Sequence, residues 1–180
     1  MKKAVLGLLI LASVSCGELT RQGTGSSYLV ISALNGAAGG GDVTSDVITN
    51  GTIFSDLAQV TFTLAMKDPA GTAPSPANAI TVNRYRVRFI RSDGRNVEGV
   101  DVPYAFDGAF TTTVVDAAST TFTLVRAQAK AEAPLGALAT SALIISTITE
   151  ITFYGHDQTG REVAVTGRIG VHFANWGDPG

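Results

Sequence analysis

Arg84, Arg86 and Arg88 alternate with Tyr85, Val87 and Phe89. In an extended chain, side chains two residues apart leave the same face, about 7 Å from one another. Three guanidiniums so spaced form a ladder that could grip sulfate, phosphate or uronate groups, because Arg binds such anions through paired hydrogen bonds. Arg91 and Arg95 would carry the ladder around the turn that follows. The ligand class would be an anionic glycan or a lipid headgroup. The same pattern also permits plain pairing with Asp and Glu on neighbouring strands, which keeps an exposed face soluble.

Other reactive side chains are sparse. Asp42, Asp46 and Asp56 lie in or near a Gly-rich region, and Asp101 and Asp107 flank a second loop. Calcium takes about six to eight oxygens, often from loop carboxylates, but the dense D-x-D-x-D-G spacing is missing and no metal site is assigned. Turn and capping roles are expected for these aspartates. The only histidines are His156 and His172. His156-Asp157 resembles the pair of metal phosphohydrolases, which carry it on helices with further ligands; here it falls in an expected hairpin loop. His172 alternates with Val171 and Phe173 and should face away from them. There is no G-x-S-x-G elbow, no phosphate loop and no dinucleotide fingerprint. No catalytic residue and no cofactor are expected.

Cys16 is the only cysteine. It ends the segment MKKAVLGLLILASVSC, in which Lys2 and Lys3 precede a short uncharged apolar run. Crossing a membrane as a helix takes about 20 apolar residues, so this run reads as an export signal. The last four residues, Ser13-Val14-Ser15-Cys16, resemble the lipobox of bacterial lipoproteins, with Ser13 departing from the aliphatic residue common there. The resemblance implies a signal peptide over residues 1–15, cleavage before Cys16, a diacylglycerol joined to its thiol, and a fatty acid such as palmitate on the new amino group. An ordinary secretory leader with a chance cysteine is the other reading. A lone thiol in an exported chain calls for an explanation, and lipidation supplies one. Gly17 stands where an inner-membrane retention signal would place Asp, so the resemblance favours the outer membrane of the cell envelope over the inner. Two or three acyl chains hold firmly where one does not.

Residues 17–27 are polar and without periodicity, a tether between lipid and domain. With the leader removed, the loss of Lys2 and Lys3 takes the net charge from −2 to −4. A mildly acidic chain lacks the clustered Lys and Arg that phosphate neutralisation needs, so no nucleic acid is expected as a partner. Only 16% of residues are charged, while Thr, Val, Ala and Gly are frequent. That composition fits a β protein with Gly-rich turns.

The elements follow from period-two patterns. Residues 28–34 form an apolar, β-branched run. Val60, Phe62 and Leu64 alternate with Thr61 and Thr63. Residues 79–91 give the clearest strand, with Asp93-Gly94 as a hairpin turn. Strands are also expected at 109–115, 120–125, 142–154 and 162–173, with one helical turn or a crossover within 131–141. The prediction is an all-β, two-sheet antiparallel sandwich of about seven to nine strands over residues 28–180. Its resemblance to immunoglobulin and fibronectin domains is architectural, because the Cys…Trp…Cys hallmark is absent. A closed barrel is the alternative.

The function expected from these features is that of a membrane-anchored, non-enzymatic cell-envelope lipoprotein, serving structure, adhesion or assembly with another envelope protein. The alternative is a binding module for an anionic glycan or lipid headgroup through Arg84, Arg86 and Arg88. A hydrolase of envelope polymers ranks third.

Overall fold

The computed structural model describes residues 26–68 and 74–177; the signal, Cys16 and most of the tether lie outside the described residues. Eight strands follow one another as β1 (Ser27–Gly36), β2 (Val43–Asp46), β3 (Asp56–Met66), β4 (Ile80–Ile90), β5 (Phe106–Val114), β6 (Ala117–Val125), β7 (Ile145–Asp157) and β8 (Glu162–Ala174). One helical turn, α1 (Ala127–Ala131), and a 3-10 turn over Leu135–Thr140 fill the connection between β6 and β7. The protein is all-β with two sheets. The smaller has the order β1-β3-β6, and the larger, curled into a half-barrel, has the order β2-β8-β7-β4-β5.

Alternation decides which face of each strand turns inward. Val60, Phe62 and Leu64 of β3 are buried, and Thr61 and Thr63 point out. In β4, Val82, Tyr85, Val87 and Phe89 are buried while Arg84, Arg86 and Arg88 are exposed. The inward faces meet in an aromatic cluster. Phe153 of β7 stands edge-on to Phe62 at 5.1 Å and to Phe122 at 5.3 Å, between ring centroids. Such edge contacts add about 0.5–1.5 kcal/mol each to the burial of the rings. Tyr85 stacks on Phe110 at 5.6 Å. Burial raises the Tyr85 phenol pKa, partly offset by hydrogen bonding to Thr123 and by the charge of Arg126.

One position depends on glycine for close approach. A Cβ on Gly155 would lie 2.3 Å from the carbonyl oxygen of Thr81. It sits opposite Val82, beside the bulge that Asn83 makes in β4. That bulge turns Arg84 back onto the outer face.

Three features depart from the expected pattern. The chain around Asp93-Gly94 does turn, but β4 and β5 are joined by the long segment 91–105, because β4 runs on past Val87 to pair with β7 as far as Ile90. His156 and Asp157 end strand β7 rather than lying in a loop. The Asp157 carboxylate accepts hydrogen bonds from the N–H and hydroxyl of Thr159 and from the N–H of Arg161, so the turn closes within four residues. Finally, β2 was unforeseen, and it pairs with β8 in parallel.

The strands define two ends. Ser27, Ile80, Val114, Asp157 and Glu162 mark the end where the described chain begins, as the pairs Ile80↔Val114 and Ile80↔Asp157 show. The Ser27 hydroxyl donates to the carbonyl of Asn78 there. Gly36, Asp56, Ile90, Phe106, Val125, Ile145 and Ala174 mark the far end.

Candidate functional site

The outer face of the larger sheet gathers the residues of chemical interest, in rows fixed by strand register. Ala109, Arg84, Tyr154 and Ala164 form one row; Asp107, Arg86, Thr152 and Thr166 the next; Arg88, Glu150 and Arg168 a third. The arginine ladder is therefore real as geometry, and each member has a different environment. The Arg84 guanidinium lies over the Tyr154 ring, 4.6 Å from its centroid. Arg86 donates to Asp107 at 3.0 Å. Arg88 faces Glu150 in register, but Glu150 accepts two hydrogen bonds from Arg168, at 2.8 and 3.1 Å. Among the described residues Arg88 forms no ion pair. Beside Arg84 a shallow groove is lined by Asn83, Tyr154, His156 and Glu162.

Arg91 and Arg95 do not extend the ladder. Both grip Asp93, at 2.6 and 3.1 Å, inside the turn after β4. Hydrogen bonds from Arg91 and Arg95 hold the Asp93 carboxyl well below its ordinary pKa.

At the far end of the same face, three residues distant in sequence converge. Nδ1 of His172 lies 2.9 Å from the Ser146 hydroxyl, and Nε2 lies 3.5 Å from an Asp42 carboxylate oxygen. The set has the types of a nucleophilic triad. Its placement does not suit acyl transfer, which needs N–H donors aimed at the developing oxyanion, usually from a sharp turn at the nucleophile. Ser146 lies within β7, paired with His172 of β8. The trio also fastens a loop. Asp42 rests on Gly170, where a Cβ would come within 2.4 Å of its carboxylate, and so holds the loop before β2 against the sheet.

The remaining aspartates are dispersed. Asp46 accepts from the Thr49 hydroxyl and the Trp176 N–H, and Asp101 from the Val97 N–H. Asp56 takes the buried ammonium of Lys130 at 2.8 Å, and Lys130 also donates to the Asp46 carbonyl at 2.7 Å. This lysine is only 2% exposed. Among the described residues no group of three or more His, Cys, Asp or Glu side chains could hold a metal ion. No helix there is long and apolar enough to cross a membrane.

Sequence reasoning missed Tyr154 beneath Arg84, the Asp42–His172–Ser146 contact and the Lys130–Asp56 pair. A lone lysine in the Ala-rich stretch 127–139 was the one available signal for the last of these. The others depend on register between strands far apart in sequence.

The far end carries a second feature. Phe54, Val100, Tyr104, Leu143 and Ile144 come from three separate connections and Trp176 from the segment after β8, and all are exposed, from 44% at Trp176 to 70% at Leu143.

No family model matches the chain, and no curated protein matches it. Among solved structures, one likeness is to a structural-genomics target, SoR45, at 13% identity and a TM-score of 0.34, covering 84% of this chain and 88% of that one. Another is to Spo0M, a sporulation control protein from Bacillus subtilis, at 14% identity and 0.31, covering 82% and 49%. A third is to the alkylpurine DNA glycosylase AlkC of Pseudomonas fluorescens bound to DNA, at 12% and 0.31, covering 85% and 34%. TM-scores this low carry no argument about function.

Proposed function

We propose that this chain is a cell-envelope lipoprotein, anchored through acylated Cys16, whose domain is a non-enzymatic assembly module that docks another envelope protein. The fold that goes with this reading is an immunoglobulin- or fibronectin-like sandwich. Its support is the pair of facing sheets and the two-residue link by which the chain passes from β5 in the larger sheet to β6 in the smaller. The observation that carries the assembly reading is the set of exposed apolar side chains at the far end. Large exposed apolar side chains concentrated at one place mark interaction sites, and loop ends of two-sheet domains commonly supply them. An anchor before Ser27 would point this end away from the membrane. The outer membrane is the favoured location, on the strength of Gly17.

Two measurements test this. Intact mass of the mature protein should show a chain beginning at acylated Cys16, and Cys16→Ser should release it from membranes. Replacing Leu143 and Ile144 together by glutamate should abolish recovery of a stoichiometric partner from gently solubilised membranes while leaving the β-sheet spectrum unchanged. Recovery of an unacylated chain starting at Met1 from the cytosol would overturn the reading.

A second reading rests on Arg88, whose guanidinium has no acidic partner among the described residues, and on the neighbouring Arg84–Tyr154 stack. Together they suit an anionic glycan or lipid headgroup. Serine at Arg84, Arg86 and Arg88 should then abolish retention on an anionic glycan column, and unchanged retention would remove this reading.

A further inference from the structure

The groove beside Arg84 differs from the rest of its face in what its side chains leave unspent. Elsewhere on the larger sheet, outward polar groups pair across strands: Thr81 with Thr113, Arg86 with Asp107, Thr152 with Thr166, Arg168 with Glu150 and His172 with Ser146. In the groove, the side chains of Asn83, Arg84, His156 and Glu162 make no hydrogen bond and no ion pair among the described residues. Arg84 rests on the Tyr154 ring, which holds the cation in place without using its N–H donors.

The opening has two causes. The bulge at Asn83 sends two consecutive polar side chains, Asn83 and Arg84, to the outer face. Ala109 and Ala164, at the two ends of the Arg84 row, are too short to fill the space beside them. The groove has a volume of about 780 Å³, within the range of small-ligand sites. Short side chains at both ends of the row let a polymer run on across the strands.

We propose that this groove seats one acidic sugar unit of a glycan, of the hexuronate kind, with its carboxylate on Arg84 and its hydroxyls on Asn83, His156 and Glu162. The site rests on the second reading above and narrows it to one place and one ligand class. Arg84 only donates, so it takes an anion. A Glu162 carboxylate only accepts, while the Asn83 amide both donates and accepts, as does an uncharged imidazole. Hydroxyl groups do both, so a ring bearing several of them satisfies the last three together. Arg84 and Glu162 lie two strands across and two residues along from each other, about 12 Å between backbones. A ring with its charge on one side and hydroxyls on the other matches that separation. A second negative charge on the far side would meet Glu162 and be repelled.

Calorimetric titration of the full chain with trigalacturonate tests this. Arg84→Gln should weaken binding roughly tenfold, and a neutral trisaccharide should bind the unaltered chain more weakly by a similar factor. Glu162→Gln separates hydroxyl recognition from plain charge. Loss of a negative charge strengthens binding driven by charge alone; here it should weaken binding roughly tenfold, because charge-assisted hydrogen bonds are lost. Arg95→Gln, an arginine outside the ladder, should change nothing. Arg84, Arg95 and Glu162 are exposed, and circular dichroism checks that each variant folds. A loss with Arg88→Gln but none with Arg84→Gln or Glu162→Gln would overturn the groove and leave the second reading standing. No binding of trigalacturonate by a chain that an anionic glycan column still retains would do the same. Tighter binding by Glu162→Gln, or binding of phosphatidylinositol vesicles in place of trigalacturonate, would overturn the sugar.

Discussion

The two outer faces are built from strands with the same alternation, yet they differ in everything but shape. The larger sheet shows arginine, glutamate, aspartate and histidine in register with one another. The smaller shows threonine, serine, alanine and three exposed apolar side chains. Folding constrains the inward positions, because those fill the core; outward positions could carry almost any polar residue. The contrast is therefore not a requirement of the fold.

The largest test of that contrast concerns the one charge the smaller sheet keeps. Lys130→Met would leave the Asp56 carboxylate and the Asp46 carbonyl without their donor, and one oxygen of Asp56 is already buried without a partner. Removing one member of a buried pair costs about 3–5 kcal/mol. The Asp56 side chain is 20% exposed, so the lower end, about 3 kcal/mol, is expected from urea denaturation. A loss below about 1 kcal/mol would mean that water replaces the lysine.

A smaller effect separates the bulges of the two sheets. Gly155→Ala drives a Cβ against the Thr81 backbone, which cannot move without disturbing the β4–β7 ladder. A loss of about 2 kcal/mol is expected. The bulge in β1 is held by the exposed Ser32 hydroxyl, which donates to the Thr61 carbonyl. Ser32→Ala should cost under about 1 kcal/mol. Equal costs would show that both bulges are equally pinned.

A pH titration sharpens the account of the larger sheet's turn. Burial pushes the Asp157 carboxyl up, but hydrogen bonds from Thr159 and Arg161 and the Arg161 charge outweigh it, leaving its pKa lowered. The stability it contributes is present above the unfolded-state pKa of about 4 and is lost as pH falls through the lower folded value. Asp157→Asn should destabilise by less than about 1 kcal/mol at pH 7. The difference from wild type should close as pH falls through the lowered folded value; a constant gap would assign the effect to packing.

The smallest change is expected at Arg86→Ala. Both Arg86 and Asp107 are more than half exposed, so the pair contributes at most about 0.5 kcal/mol, screened by salt. A larger loss would make the ladder a structural feature rather than a surface free to bind.

Much of this architecture was legible in the residues. Val60-Thr61-Phe62-Thr63-Leu64 and Tyr85-Arg86-Val87-Arg88-Phe89 state their strand, their faces and the outward arginines directly, because a strand's two-residue period is written locally. The four-residue β2 was not legible: it is too short to show a period and draws its hydrogen bonds from β8, far along the chain. The hairpin inferred at Asp93-Gly94 had the right local turn but the wrong span, since β7 rather than β5 pairs with the end of β4.

By itself the sequence determined the β class, the inward and outward residues of the longer strands and the scarcity of recognisable catalytic motifs. Only the tertiary structure decided that Tyr154 lies under Arg84, that Asp42 reaches His172, that Lys130 is buried on Asp56, and that β1, β3 and β6, whose one charged residue is Asp56, share one sheet. Side-chain period depends on neighbours one or two residues away. Register and sheet membership are settled by how the inward faces pack, a choice made jointly by residues more than a hundred positions apart.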